Sequence, residues 1–248
     1  MFESDLWAAI REDQIAPHFQ PLVSLQDGKV RGYEILARWT HATRGPIPPD
    51  QFIPAAERYN VMPAIDYWVL AAVTRHVRAL EPAQRPLLAV NVSGNSLSDQ
   101  AFLDRVIELI DGSGVAASLC FEITETAAVS HLDTAVHFMR ELKARGCRFS
   151  LDDFGSGLSS FRYLKNLPID FLKIDGEFVG HVVTDAVDRS VVSAIVQVGH
   201  SLGIATVAEK VENGAVMALL ADLGVVYAQG FHIARPQPLE ARQRPALG

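Results

Sequence analysis

From residue 87 to residue 228 the chain repeats one architectural pattern without repeating its sequence: a short apolar run, a stretch of helical periodicity, then a glycine. The apolar runs fall at 87–92, 118–123, 147–152, 170–174, 204–208 and 225–228. Helical periodicity covers 98–111, 131–145, 186–202 and 213–223, with a shorter helical stretch near 159–166 that stops at Pro168. Glycine just past a helix is the expected terminator, since it takes the left-handed conformation without steric cost. Short apolar strands alternating with helices predict a parallel sheet covered by helices. Six such strands and an N-terminal strand pair make eight. A single closed (β/α)8 TIM-like barrel is therefore the simplest α/β architecture, with a doubly wound sheet as the alternative.

The N-terminal part fits that frame. Residues 4–14 read as a short amphipathic helix. Strands at 18–24 and 29–39 are joined through Gln26-Asp27-Gly28, and Asp-Gly is a strong hairpin signal. Helices follow at 50–59 and from Pro63 to about Leu80. No low-complexity segment or linker interrupts the 248 residues, so the expectation is one domain over 1–248. A formal net charge of −7 argues against a surface that coats DNA. No apolar run approaches the ~18 residues of a membrane span, and the acidic first residues are unlike a signal peptide. The expected location is cytoplasmic, which also suits Cys120 and Cys147 as buried reduced thiols.

In barrels of this class the active site lies at the C-terminal ends of the strands. Here those ends carry Glu34, Asn91, Glu122 with Glu125 beyond it, Asp152 and Asp153, Lys173 and Asp175, Glu209, and Gln229. Each has a plain structural reading. Asn91 could be a turn residue, Lys173 a snorkelling lysine, Glu125 a first-turn acid favoured by the helix dipole, and Asp152-Asp153 an acidic surface turn. Together they form a rim of carboxylates that requires cations. Carboxylates and a side-chain amide, with no His or Cys, are the donor set of Mg²⁺ or Mn²⁺ rather than zinc. Asp152 and Asp153 cannot both face one site along an extended strand. Gly155 and Gly157 supply the freedom to bend there. Glu34, Leu36 and Arg38 share one strand face, where Glu34 and Arg38 could be an ion pair or two ligand contacts.

These residues carry a resemblance. Glu34-Ile35-Leu36-Ala37-Arg38, Asn91-Val92-Ser93, Glu122-Ile123-Thr124-Glu125, Asp152-Asp153-Phe154-Gly155-Ser156-Gly157, Lys173-Ile174-Asp175, Ala208-Glu209-Lys210-Val211-Glu212 and Gln229-Gly230-Phe231 stand in order over about residues 5–240. The chain resembles the EAL domain, the bacterial phosphodiesterase module that linearises cyclic di-GMP to pGpG. The resemblance implies two Mg²⁺ or Mn²⁺ ions, one held by Glu34, Asn91, Glu122 and Asp152 and the other by Asp152, Asp153 and Glu209. It places Lys173 beside the attacking water and Arg38, with the backbone at Leu36, on the ligand phosphate. Gln20, Asp175 and Gln229 are placed near the ligand or metals, and Glu125 as the anchor of the loop 153–160. It also implies a homodimer and allows a sensory or GGDEF domain in a longer parent protein. A catalytically silent cyclic di-GMP receptor is the alternative. Two positions depart from the family pattern. Ile35 replaces the usual alanine and should pack into the barrel wall. Lys210 replaces a common glycine and brings a positive charge beside Glu209.

Overall fold

The computed structural model of the chain describes residues 2–155 and 162–238. Glu3 and Asp5 in the first turn and Arg11 in the last complement the dipole of α1 (Glu3–Arg11). β1 (Ile15–Ser24) and β2 (Val30–His41) form the expected antiparallel hairpin, although pairing already starts at Ile15↔Trp39. β3 (Gly45–Ile47) lies on the far end of β2. Proline in the first turn then opens both α2 (Pro49–Arg58) and α3 (Met62–Arg78).

The alternation follows as β4 (Leu87–Asn91), α4 (Gly94–Leu97), α5 (Gln100–Ile110), β5 (Leu119–Thr124), α6 (Glu125–Ser130), α7 (Leu132–Lys143) and β6 (Arg148–Phe154). It continues with β7 (Phe171–Ile174), α8 (Gly176–His181), α9 (Ala186–Leu202), β8 (Ala205–Ala208), α10 (Gly214–Asp222), β9 (Tyr227–Ala228) and β10 (Gln237–Pro238). Gly203 ends α9 at φ +70° as its sequence position predicts.

The helices expected at 98–111 and 131–145 appear as α5 and α7, and a short helix capped by a polar side chain stands ahead of each. Ser93 accepts from the Ser96 N–H and starts α4, whereas Asp99 accepts from Ala101 and Phe102 and starts α5. Thr124 caps α6 immediately after β5, ahead of the helix expected from residue 131. Of the stretch near 159–166, a 3-10 turn covers Tyr163–Asn166, and its first residues lie outside the described ones.

Strands β2, β4, β5, β6, β7, β8 and β9 pair in parallel in that order. β1 closes the barrel by pairing antiparallel with both β2 and β9. The eight-stranded barrel is therefore closed, with one strand reversed. The N-terminal half of β1 thus reaches the rim where the other strands end.

The two-residue period sorts side chains to two cores. Outward residues such as Phe121 and Phe149, whose rings stack at 5.5 Å, pack beneath the helices. Inside the barrel, Cys120, Phe171 and Val207 form a separate apolar floor with partly buried Leu22, Ala89 and Tyr227 around it. Cys120 and Cys147 are both free and buried. Among the described residues, no helix is long and apolar enough to cross a membrane.

Candidate functional site

Above the apolar floor, the next inward position of each strand is polar. Gln20 on β1 stands directly across from Glu34 on β2, and Asn91 on β4 is the register partner of Glu122 on β5. Asp152 follows on β6 and Lys173 on β7, while Glu209 and Gln229 lie just past β8 and β9. All except Asn91 and Glu209 are buried, and Lys173 is only 1% exposed.

Hydrogen bonds fix the ring. The Asn91 amide donates to Glu34 Oε1 at 3.1 Å. The Gln229 amide donates to Glu34 Oε2 and to Gln20 Oε1, and Gln20 donates in turn to the Ala234 carbonyl. The Lys173 ammonium sits 2.7 Å from Glu209 Oε1, 3.1 Å from Asp152 Oδ2, 3.2 Å from Glu122 Oε2 and 3.6 Å from Glu34 Oε2.

One ammonium facing four carboxylates leaves the ring strongly electronegative, and the titration behaviour follows. Burial alone would push Lys173 down, but the carboxylates outweigh it and hold its pKa well above the ordinary lysine range. Burial and neighbouring acids push Glu122 far up despite Lys173, and Glu209 up to about 7. Glu34 goes the other way. Lys173 and the amides of Gln229 and Asn91 overcome its burial and pull it down.

The two adjacent aspartates reach the rim together because β6 is irregular. Its pairing with β7 gains one residue between Leu151 and Phe154, and Asp153 takes φ +55°. The bend therefore sits on Asp153 itself, ahead of Gly155; Ser156 and Gly157 lie outside the described residues. As a result, carboxylate oxygens of Asp152, Asp153 and Glu209 lie within 4.8 Å of one another, as do those of Glu34, Glu122 and Asp152. Asp152 belongs to both groups, and either could hold a metal ion. Burial and the charges of Asp152 and Asp175 push the Asp153 carboxyl up. All-oxygen donors with too little positive charge suit a hard divalent cation.

The remaining positions divide by environment. No ion pair joins Arg38 to Glu34 among the described residues; the half-buried guanidinium donates to the Ala37 carbonyl at 2.9 Å. Arg38 and Leu36 line a cavity of about 300 Å³ that opens beside Glu34 and Asn91, with Phe52 and Met62 on its far side. Asp175, just past the end of β7, caps α8 by accepting from the Glu177 N–H at 2.9 Å. Glu125 is the first residue of α6 and is 3% exposed. It accepts from the Gly155 N–H at 3.2 Å and from the Tyr163 hydroxyl, so the chain on both sides of 156–161 meets one carboxylate.

The departures are now explicable. Ile35 is buried in the barrel wall. Lys210 holds φ +50°, a conformation in which glycine carries no penalty. Its stem lies over Gly176, where an added Cβ would stand 2.3 Å from Lys210 Cδ.

Two residues escaped the sequence reading. Asp66 on α3 lines the same cavity as Arg38 and is 6% exposed. It accepts from the Ser93 N–H at 2.9 Å and the Ser96 hydroxyl at 2.6 Å, and burial pushes its carboxyl up to about 6. No local pattern marks it, since the loop it meets is 27 residues away. His18 stands opposite Leu36, and burial followed by the charge of Arg38 pulls its imidazole pKa down. The two-residue period counted back from Gln20 would have found it.

Known proteins align with this geometry. NbdA of Pseudomonas aeruginosa, named a cyclic di-GMP phosphodiesterase, is 36% identical over 244 residues, which cover 96% of this chain and 31% of NbdA. MucR of the same organism, named a bifunctional diguanylate cyclase/cyclic di-GMP phosphodiesterase, is 38% identical over 239 residues, covering 95% of this chain and 35% of MucR. The solved MucR phosphodiesterase in complex with c-di-GMP superposes with a TM-score of 0.90 at 36% identity, covering 96% of this chain and 98% of that one. The chain thus spans about a third of the curated relatives' length. The model of the EAL domain matches residues 3–236, and the chain belongs to that family.

Proposed function

We propose that this chain is a phosphodiesterase that hydrolyses cyclic di-GMP to linear pGpG with two Mg²⁺ or Mn²⁺ ions, lowering the second messenger in bacterial signalling. The observation that carries the reading is the pair of carboxylate groups sharing Asp152 around a buried lysine. The donor set fits the ions. Glu34, Asn91, Glu122 and Asp152 would hold one, and Asp152, Asp153 and Glu209 the other. Bound there, the ions would supply Lewis-acid stabilisation and would lower the pKa of a water, the usual contribution of a two-metal site to phosphodiester cleavage.

The chain's own groups do the rest. Lys173, held protonated by the ring, places positive charge where negative charge develops during attack. Arg38 offers a guanidinium at the mouth of the 300 Å³ cavity, where a phosphate oxygen can take charge-assisted hydrogen bonds, with the Leu36 backbone alongside. Gln20 and Gln229 orient Glu34 from the second layer, the kind of support that fixes a metal ligand. Asp175 caps the helix that follows β7 and adds negative charge near Asp153, and Glu125 anchors the chain that follows Asp153. The same reading extends to a cytoplasmic homodimer, and to a parent protein carrying a sensory or GGDEF domain.

The test is incubation with cyclic di-GMP and Mg²⁺, with the products separated by chromatography. pGpG is expected with Mg²⁺ or Mn²⁺ and none in EDTA. Ca²⁺, with its longer bonds and looser geometry, should support binding with little turnover. Full activity in EDTA overturns the metal mechanism. Tight binding without pGpG under any metal leaves the silent-receptor reading in its place.

A further inference from the structure

Beneath the ring, the barrel floor is largely apolar, and Ser150 interrupts it. Ser150, the register partner of Glu122 on the neighbouring strand, points inward between Glu122 and Phe171. It is 1% exposed, and its hydroxyl has no hydrogen-bond partner. A small cavity of about 20 Å³ lies against it, lined below by Cys120 and Phe171 and above by Glu122 and Lys173. A buried hydroxyl left unpaired costs about 1–3 kcal/mol, so such groups nearly always find a partner. A water needs roughly 10–15 Å³ of such space and two or more polar groups, and this cavity offers both.

We infer that the cavity is a single-water site and that Ser150, through this water, is a positioning residue for Glu122. The water shares a hydrogen bond with Ser150 Oγ and donates to the Glu122 carboxylate from below, on the side away from the rim. That contact matters because Glu122 otherwise has one hydrogen-bond donor among the described residues, Lys173 at 3.2 Å, whose three protons are spread over several carboxylates. Glu34 at the same level is held by two amides. Ser150 and its water supply on β6 what Asn91 and Gln229 supply to Glu34. The kinetic part of the inference rests on the phosphodiesterase reading, whereas the water itself does not.

Crystal structures of the wild type and of Ser150→Ala at high resolution test the site directly. One solvent peak within hydrogen-bond distance of Ser150 Oγ and a Glu122 oxygen is expected in the wild type, and its loss or displacement in the variant. A dry cavity overturns the inference whether or not the protein is active. For positioning, Ser150→Ala should lower kcat roughly two- to tenfold, the range of one hydrogen bond, and leave KM unchanged. Ser150→Val, which fills the space, should act in the same direction. An occupied cavity with unaltered kcat in both variants shows a structural water only and rejects the role for Ser150. If the wild type hydrolyses nothing, the solvent peak still decides the site and only the phosphodiesterase reading has failed.

Discussion

The Lys173 ammonium lies 2.7 Å from Glu209 Oε1 in the middle of the barrel, nearly sealed from solvent and ringed by three more carboxylates. It faces Glu34, Glu122, Asp152 and Glu209 together. Removing one partner of a buried ionic group costs about 3–5 kcal/mol because the remaining charge stays uncompensated. Lys173→Met should therefore be destabilised in EDTA. The loss should be larger at pH 8 than at pH 6, since acids with raised pKa values lose stability as they ionise. Mg²⁺ should narrow the gap. Urea unfolding of both proteins with and without Mg²⁺ measures this, and equal stability in EDTA refutes the charge-balancing role.

Glu125 and Asp152 are both buried acids, yet they should fail differently. Asp152 belongs to both carboxylate groups, so Asp152→Ala should be inactive at every Mg²⁺ concentration. Glu125 instead ties down Gly155 and Tyr163. Glu125→Ala should leave the donors present and their placement loose, and a shift of ~1 Å can cost on the order of a hundredfold. Part of that rate should return at high Mg²⁺. Rate measured against Mg²⁺ for both variants decides the matter, and identical curves would make Glu125 a metal ligand.

Among the described residues Arg38 makes no ion pair with Glu34; its guanidinium donates to the Ala37 carbonyl and lines the 300 Å³ cavity, where it can also meet a ligand. Arg38→Ala should weaken cyclic di-GMP binding by about 1.5–3 kcal/mol, as expected for a hydrogen bond to a charged group. Calorimetry in Ca²⁺ reads this without turnover. Unchanged affinity assigns Arg38 to the scaffold.

Asp66 gives a pH signature. Burial raises its folded-state pKa from 3.8 to about 6, so the folded protein holds this proton more tightly than the unfolded chain. The stabilising contribution is full below about pH 4 and is lost as pH rises through about 6. Asp66→Asn cannot ionise, and its stability relative to wild type should improve from pH 4 to pH 7 by on the order of 3 kcal/mol. Urea unfolding at several pH values tests it; a constant difference between the two proteins means that Asp66 does not titrate in this range.

Local physics in the sequence already specified much of this molecule. The strand and helix periods, the terminating glycines and the Asp27-Gly28 turn are consequences of backbone sterics within a few residues. A closed barrel of eight strands follows from them, and strand-end acids follow from where the apolar runs stop. The departures came from interactions that distant segments supply. Ser93 and Thr124 cap the short helices α4 and α6 ahead of the expected ones, which periodicity alone does not mark because each is so short. The hairpin already set Gln20 across from Glu34, but the pairing of β1 with β9 required closure of the whole sheet, and only closure brings Gln229 onto both of them. The extra residue in β6 that turns Asp153 toward Asp152 and Glu209 is fixed by pairing with β7. Asp66 entered through a loop 27 residues away, and the unpaired Ser150 hydroxyl is visible only once the barrel floor is assembled. Hydrogen-bond partners, desolvation and charge balance depend on which chains surround a group, and no window of sequence contains them.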